Sequence, residues 1–424
     1  MTSEIVIMNK EAVAMAADSA LTVKIGSSHK IFTSANKIFA LSSYHPVGIM
    51  IYDSAEIQEI PWATVIKMYR KKLGKKKFPK LENYATHFIS FLNNNLGLFP
   101  KSQRYKFTVT YIYNYYLHLL EVIDDRLALL VEKKPVNRSM ITRVAQEVIM
   151  NHLALLKQYS KSLNYNNLKV SKIQSIYRKL ISQAIAQAFP KVPLNKKSVA
   201  ALWEIATRLF FTLEPINCKT GINIAGFGET DIFPVTKSYI IQGILGDKLK
   251  YIEGIKTITF DLDAAVGVFA YSDSAEAFMK GIDPDYEKVL GDGLEEIFMD
   301  YPRYILEKIL NLDKTKKARY LKKIEPESKR LLKSCLKNLK DYQKEKFSDP
   351  IVKVVAMLPK DELANMAEAL VGINSFKVKV SMNAEIVGGP IDVAVISKGD
   401  GFIWIKRKHY FKPELNRNFF QNKV

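Results

Sequence analysis

The segment Thr2–Ser19, with the sequence TSEIVIMNKEAVAMAADS, decides how the rest of the chain is interpreted. Two short apolar runs, Glu4–Met8 and Ala12–Ala17, flank the polar tripeptide Asn9-Lys10-Glu11, and this pattern predicts a β-hairpin. Alanines occupy every other position of the second run. One face of that strand is therefore small, which favours close packing against another layer.

Strand patterns and helical patterns then alternate along the chain in large blocks. Helical spacing begins near Ala55 and ends at Leu73, and a second helix is expected over Leu81–Asn95. Residues from about Ser102 to Leu213 stay helical, in four pieces. The remaining predicted elements are strands at Lys37–Leu41, Gly48–Tyr52, Gly221–Gly228, Ser238–Ile244, Leu249–Ile252, Ala265–Tyr271, Lys377–Met382, Ile391–Ser397 and Gly401–Arg407, and helices at Glu276–Gly281, Tyr286–Phe347 and Lys360–Leu370.

Strands at both ends that flank two all-helical blocks predict one α+β core interrupted twice. The core is expected in three parts, with a helical insertion after the first and a basic helical insertion after the second. The boundaries are 2–99 (core), 100–215 (insertion), 216–286 (core), 287–354 (basic insertion) and 355–424 (core and C-terminal strands).

Composition excludes several classes of protein. The only two cysteines, Cys218 and Cys335, form no C-x-x-C pair, which argues against a disulfide framework or a cysteine zinc site. The six histidines lack metal-ligand spacing, so neither a metal nor a cofactor is expected. No signal-peptide pattern opens the sequence, and charges interrupt the most apolar stretch, Tyr111–Val131. The interpretation is a cytoplasmic protein without a membrane partner.

The net charge of +20 is the one unusual bulk property. Residues 301–350 contain 15 Lys or Arg against 7 Asp or Glu, so the excess is concentrated there. Long helices often have a solvated basic face, and solubility explains the charge better than nucleic-acid binding does. Binding to an acidic partner remains an alternative explanation of the positive charge.

The N-terminus itself offers a nucleophile. Thr2 is small enough for Met1 to be removed, which would leave a free α-amine on the threonine. Such an amine titrates near ~7.7–8.0 and suits a general base at neutral pH, as a threonine hydroxyl requires.

Three matching positions strengthen this interpretation. Asp18 follows Thr2 by sixteen residues in an Ala-Ala-Asp-Ser context, and Lys37 precedes the apolar run Ile38-Phe39-Ala40. This pattern resembles the proteasome β-subunits and the bacterial ATPase-partnered proteasome-like protease, which are N-terminal-nucleophile (Ntn) hydrolases. The Asp-to-Lys gap is three residues longer here, with Gly26-Ser27-Ser28 as the expected site of the insertion. The resemblance covers about 2–97, 221–286 and 355–407.

The resemblance implies a role for each of these residues and a fold. Thr2 would attack an amide carbonyl, Lys37 would lower the pKa of the nucleophile, and Asp18 would orient the lysine. The implied fold is a four-layer α-β-β-α Ntn-hydrolase sandwich with two helical insertions.

Other family positions match less well. The family's glycine pair at the oxyanion hole is missing, which leaves a backbone donor from Tyr52 or Asp53. The auxiliary serine falls on Ser274, with Ser272 as the alternative. The family also has an auxiliary aspartate and an auxiliary serine, whose positions fall on Ala384 and Val387. The side chains of alanine and valine cannot form the hydrogen bonds of those residues. Glu385 is the candidate substitute for the aspartate.

The predicted function is that of a threonine-type peptidase or amidohydrolase that cleaves a peptide or protein substrate. By the resemblance, a homo-oligomer and an ATPase partner are also expected. The alternative is a catalytically inactive β-subunit-like scaffold, whose basic helical insertions bind a protein or nucleic-acid partner. The lost auxiliary residues favour the scaffold, while Thr2, Asp18 and Lys37 favour the enzyme.

Overall fold

The structure is a computed structural model that describes residues 3–25, 28–95, 97–131, 137–159, 170–212, 219–270, 273–310, 312–381, 387–409 and 411–416. It contains helices and antiparallel sheets, so the fold is α+β. The strands are β1 (Ser3–Asn9), β2 (Ala12–Ala17), β3 (Leu21–Ile25), β4 (Ser28–Phe32), β5 (Ile38–Ala40), β6 (Val47–Tyr52), β7 (Glu56–Ile57), β8 (Ile60–Pro61), β9 (Thr220–Gly226), β10 (Val235–Leu245), β11 (Lys248–Thr257), β12 (Ala264–Ala270), β13 (Asp392–Ser397) and β14 (Gly401–Lys406). The helices are α1 (Trp62–Leu73), α2 (Leu81–Asn94), α3 (Lys101–Val131), α4 (Arg138–Tyr159), α5 (Val170–Ala188), α6 (Lys196–Arg208), α7 (Asp273–Lys280), α8 (Pro284–Tyr304), α9 (Lys314–Gln343), α10 (Asp349–Val355) and α11 (Lys360–Val380).

The predicted hairpin at the N-terminus is confirmed. Strands β1 and β2 pair antiparallel from Glu4↔Ala17 to Met8↔Val13. The Asn9 side chain organises the turn, because its Oδ1 accepts the backbone N–H groups of Glu11 at 2.9 Å and Ala12 at 3.2 Å. This asparagine closure fixes the register, and the register in turn decides which side chains of each strand face inward.

Two sheets of five described strands each pack face to face. Their strand orders are β12-β1-β2-β13-β14 and β11-β10-β9-β6-β5. Side chains from both sheets form one apolar cluster between them, in which Val6, Met8 and Met15 of the first sheet meet Met50 and Ala225 of the second. This is the arrangement of an aligned sheet sandwich, whose inner faces interdigitate.

Helices cover the outer face of each sheet. Alternate residues of β1 and β2, such as Ile5 and Ala14, pack with Leu363 and Ala367 of α11. On the other side, strands β6, β9 and β10 pack against α1 and α2. The layers therefore run helices, sheet, sheet, helices. The alanine face of β2 lies under α11, as the small residues predicted.

Helices α3–α6 form a block with an apolar cluster of their own. A buried lysine joins this block to the second sheet: Lys250 of β11 donates from Nζ to the Tyr111 hydroxyl at 2.8 Å and to the Leu209 carbonyl at 2.6 Å. Since a buried ammonium needs partners, these contacts fix where the block meets the sheet.

Helices α8 and α9 form a long hairpin of different character. No described residue of α8 is fully buried. Several apolar side chains of α8 are exposed, Ile297 by 61% and Tyr301 by 59% among them. The ends of the hairpin meet near Gly281 and Phe347, since a Cβ placed on that glycine would lie 2.4 Å from the phenylalanine ring.

Two expectations about elements are wrong, and one ribbon was not predicted. The helix predicted from Ala55 begins at Trp62, because Gln58 and Glu59 have φ angles of 50° and 68° and turn the chain between β7 and β8. The segment Lys377–Met382 is not a strand; α11 continues to Val380, and its Val371, Asn374 and Val378 share one buried helix face despite the alternating sequence. The ribbon β3–β4 was not predicted at all, although Leu21–Ile25 alternates as strands do.

Among the described helices, none combines the length and the apolarity that crossing a bilayer requires.

Candidate functional site

The Asp18 carboxylate lies at the end of β2 and is fully buried. Its Oδ1 accepts the backbone N–H of Ser3 at 2.9 Å and the Lys37 ammonium at 2.6 Å. Its Oδ2 accepts the N–H groups of Ala20 at 3.1 Å and Gly388 at 2.9 Å. Four donors thus surround one carboxylate, so both of its oxygens have hydrogen-bond partners.

Lys37 directly precedes β5, and its side chain is almost entirely buried. Its carbonyl accepts the backbone N–H of Ile51 at 2.9 Å, which ties the lysine to the neighbouring strand β6. Burial lowers the pKa of Lys37, while Asp18 opposes that shift. Asp18 and Lys37, which are nineteen residues apart, therefore form one rigid ion pair beside the start of β1.

A second set of contacts reaches Ser3 from the opposite side. The Asn374 amide of α11 donates to the Ser3 hydroxyl at 2.7 Å, and its Oδ1 accepts the backbone N–H of Ala275 at 3.0 Å. Asn374 thus connects β1 to the start of α7, where Ser274 lies. The Ser274 hydroxyl is buried and has no hydrogen-bond partner within the described part of the chain.

Sequence reasoning missed Asn374 because it ended the helix at Leu370. An extended α11 would have placed this polar side chain on the same face as Leu363 and Leu370, and that position is a signal for a buried contact.

Glu4 is the least expected residue of the site. It is fully buried, and neither carboxylate oxygen has a hydrogen-bond partner among the described residues. Alternation along β1 places its side chain on the same face as Val6 and Met8, between the two sheets. Burial raises the pKa of Glu4 well above its ordinary value, although Lys37 opposes this shift. An unpartnered carboxyl in such a place is most stable when it is protonated.

We therefore expect Glu4→Gln to stabilise the protein in a pH-dependent way. In the unfolded chain Glu4 ionises above ~4.5, whereas the raised pKa keeps it neutral when folded, so the wild type loses stability as pH rises between the two values. A glutamine side chain does not titrate, so the variant does not lose stability in this way as the pH rises. The advantage of the variant should be small near pH 5 and larger at pH 8, as measured by urea unfolding.

The matched control is Glu296→Gln, because Glu296 is exposed on α8. It should show no comparable pH dependence. If Glu4→Gln instead destabilises the protein equally at both pH values, Glu4 is ionised and paired in the folded state.

Tyr52 and Asp53 lie where β6 ends. Tyr52 pairs with Gly221 of β9, and a Cβ at that glycine would lie 1.9 Å from the tyrosine ring, so only glycine leaves room for the ring. The ring packs 5.5 Å from Phe269, the residue that pairs with Glu4. Burial and the Glu4 carboxyl raise the pKa of Tyr52. Asp53 follows with a φ of 65°, a turn conformation that is uncommon for residues other than glycine.

The backbone N–H of Gly388 donates to Asp18, so the segment that begins at Val387 reaches this site. Val387, which the sequence resemblance aligns with an auxiliary serine, is buried and apolar. Thr2, Ser272, Ala384 and Glu385 lie outside the described residues.

Comparison of the sequence with protein-family models and with curated proteins finds no match.

Proposed function

We propose that this chain is an Ntn hydrolase of the proteasome β-subunit type, in which Thr2 becomes the catalytic N-terminal residue once Met1 is removed. The proposed fold is the four-layer α-β-β-α sandwich of that class, with helices α3–α6 and the hairpin α8–α9 as its two insertions.

The observation that carries the proposal is the Asp18 carboxylate with its four donors. It binds the lysine predicted to activate Thr2, and it also accepts the backbone N–H of Ser3, the residue that follows Thr2. Asp18 therefore holds the Lys37 ammonium in place, and it also holds the backbone that follows Thr2. If Asp18 only capped a turn at the surface, it would need neither burial nor a bond to Lys37.

The chemistry follows from these positions. The Thr2 hydroxyl attacks the carbonyl carbon of an amide, and its proton passes to the Thr2 amine and then to the departing amine of the substrate. Water hydrolyses the resulting ester and regenerates the threonine. A cationic Lys37 beside the hydroxyl favours its deprotonation, and Asp18 prevents the lysine from moving away.

The inactive scaffold is the second candidate, and Val387 favours it. A buried valine cannot hydrogen-bond the Thr2 amine, so a scaffold could keep the Asp18–Lys37 pair for stability alone. In that case the exposed apolar and basic surface of α8–α9 would carry the function through a protein or nucleic-acid partner. The homo-oligomer, the ATPase partner and the peptide substrate remain predictions of the enzyme interpretation.

The mass of the purified, intact chain tests the proposal. Because the mechanism needs the Thr2 amine as a base, we expect the mature protein to lack Met1. Intact-mass spectrometry of the untagged N-terminus measures this directly. Retention of Met1 in most molecules would rule out the enzyme and leave the scaffold.

A further inference from the structure

A large cleft lies at one edge of the two sheets, and neither Asp18 nor Glu4 lines it. It has a volume of about 1150 Å³ and lies between α1 and the edge strands β5 and β14. Four cationic side chains line it: Lys67, Arg70, Lys71 and Arg407. Aromatic side chains, Phe402 and Trp404 among them, complete its walls.

The side chains of the two arginines have no salt-bridge partner within the described part of the chain. Neither guanidinium group forms a salt bridge or a hydrogen bond there, although both residues are half-buried. Arg407 instead lies over the Trp404 ring, with its guanidinium carbon 4.5 Å from the ring centroid.

The carboxylates near the cleft are already engaged. Asp400, which lines it, binds Lys360 at 2.8 Å and the Ser397 hydroxyl at 2.8 Å. Asp392, which lies near Arg407, is buried and binds both the side chain and the backbone N–H of Lys408. Neither carboxylate forms a salt bridge with Arg70 or Arg407, although the charge of Asp392 acts on Arg407.

The fold also places a like charge near Arg70. Burial lowers the pKa of Arg70, and the nearby charge of Arg407 lowers it further. Burial likewise lowers the pKa of Arg407, although Asp392 opposes this shift. Two like charges that are partly removed from water are unfavourable unless an anion joins them. A fold that holds them in one concave surface has the properties of an anion-binding site.

We propose that this cleft binds a small molecule that bears two or more phosphate groups, with Arg70 and Arg407 as its main ligands. The planar guanidinium fork matches phosphate oxygens in bidentate geometry, which an ammonium does not do. Lys67 and Lys71 then supply further charge at the rim. The concave shape and the volume of the cleft suit a small ligand rather than an extended polymer surface.

Isothermal titration of the full-length protein with inorganic triphosphate tests the proposal. Wild type should bind one triphosphate per chain, and Arg70→Gln and Arg407→Gln should each weaken binding by about tenfold or more. Arg70→Lys keeps the charge and should still bind more weakly than wild type. The matched control is Lys333→Gln, which removes one charge from exposed α9 and should leave binding unchanged.

Two further measurements separate a ligand site from a structural pair. In a double-mutant cycle on ligand-free protein, the coupling of Arg70 and Arg407 should be unfavourable, and triphosphate should reverse its sign. Citrate, a polycarboxylate, should bind more weakly than triphosphate at matched ionic strength. Absence of triphosphate binding to wild type, unchanged binding to Arg70→Gln, or citrate binding as tight as triphosphate would each overturn the proposal.

Discussion

Replacing Lys37 by Ala is expected to destabilise the protein by about 3–5 kcal/mol and to abolish hydrolysis of small peptide-amide reporters. The loss of stability follows from burial. Asp18 and Lys37 form an ion pair from which water is almost excluded, so the substitution leaves a buried carboxylate without its cation. Three backbone N–H groups still contact Asp18, which places the expected loss toward the lower end of that range.

A second buried lysine–aspartate pair provides the matched control. Lys408 binds Asp392, and both side chains are nearly as buried as the first pair. Lys408→Ala should therefore destabilise the protein by a comparable amount, as measured by chemical unfolding. Under conditions in which both variants remain folded, only Lys37→Ala should lose reporter hydrolysis. Equal activity of the two variants would mean that Lys37 has a structural role alone.

The pairing of Asp18 with Lys37 was expected from the family resemblance, and the strand order explains how it forms. A β-hairpin that begins at residue 3 brings Asp18 back beside the start of its first strand, and Lys37 precedes the edge strand of the facing sheet. The family resemblance implied that Asp18 pairs with Lys37, and the structure contains that ion pair.

The rest of the site depends on contacts between distant segments. Gly388 and Asn374 reach Asp18 and Ser3 across more than 360 residues, and no local pattern identifies the residues that they contact. Glu4 was overlooked for a different reason. A single acidic residue in an apolar strand is normally assigned to the solvent face, whereas here the second sheet covers that face.

Burial also changes one expectation about energetics. From the sequence alone, Lys37 could be treated as a charge at a strand end whose removal affects chemistry but not stability. The structure shows a side chain that is 6% exposed, so chemistry and stability cannot be separated by one substitution.

The helical elements were predicted well where the apolar period was long, as in α2, and poorly where positive φ angles or a mixed period obscured the boundary.

Substitution of Thr2 tests the central claim most directly. Ala removes the hydroxyl but keeps the small N-terminal residue and its amine, so Thr2→Ala should lower reporter hydrolysis by more than about 10⁴-fold without changing the thermal midpoint. Thr2→Ser keeps the hydroxyl and should retain activity. Both variants should lose Met1 as the wild type does, which the intact mass verifies. The proposal predicts active wild type, active Thr2→Ser and inactive Thr2→Ala; hydrolysis by Thr2→Ala at the wild-type rate would contradict it.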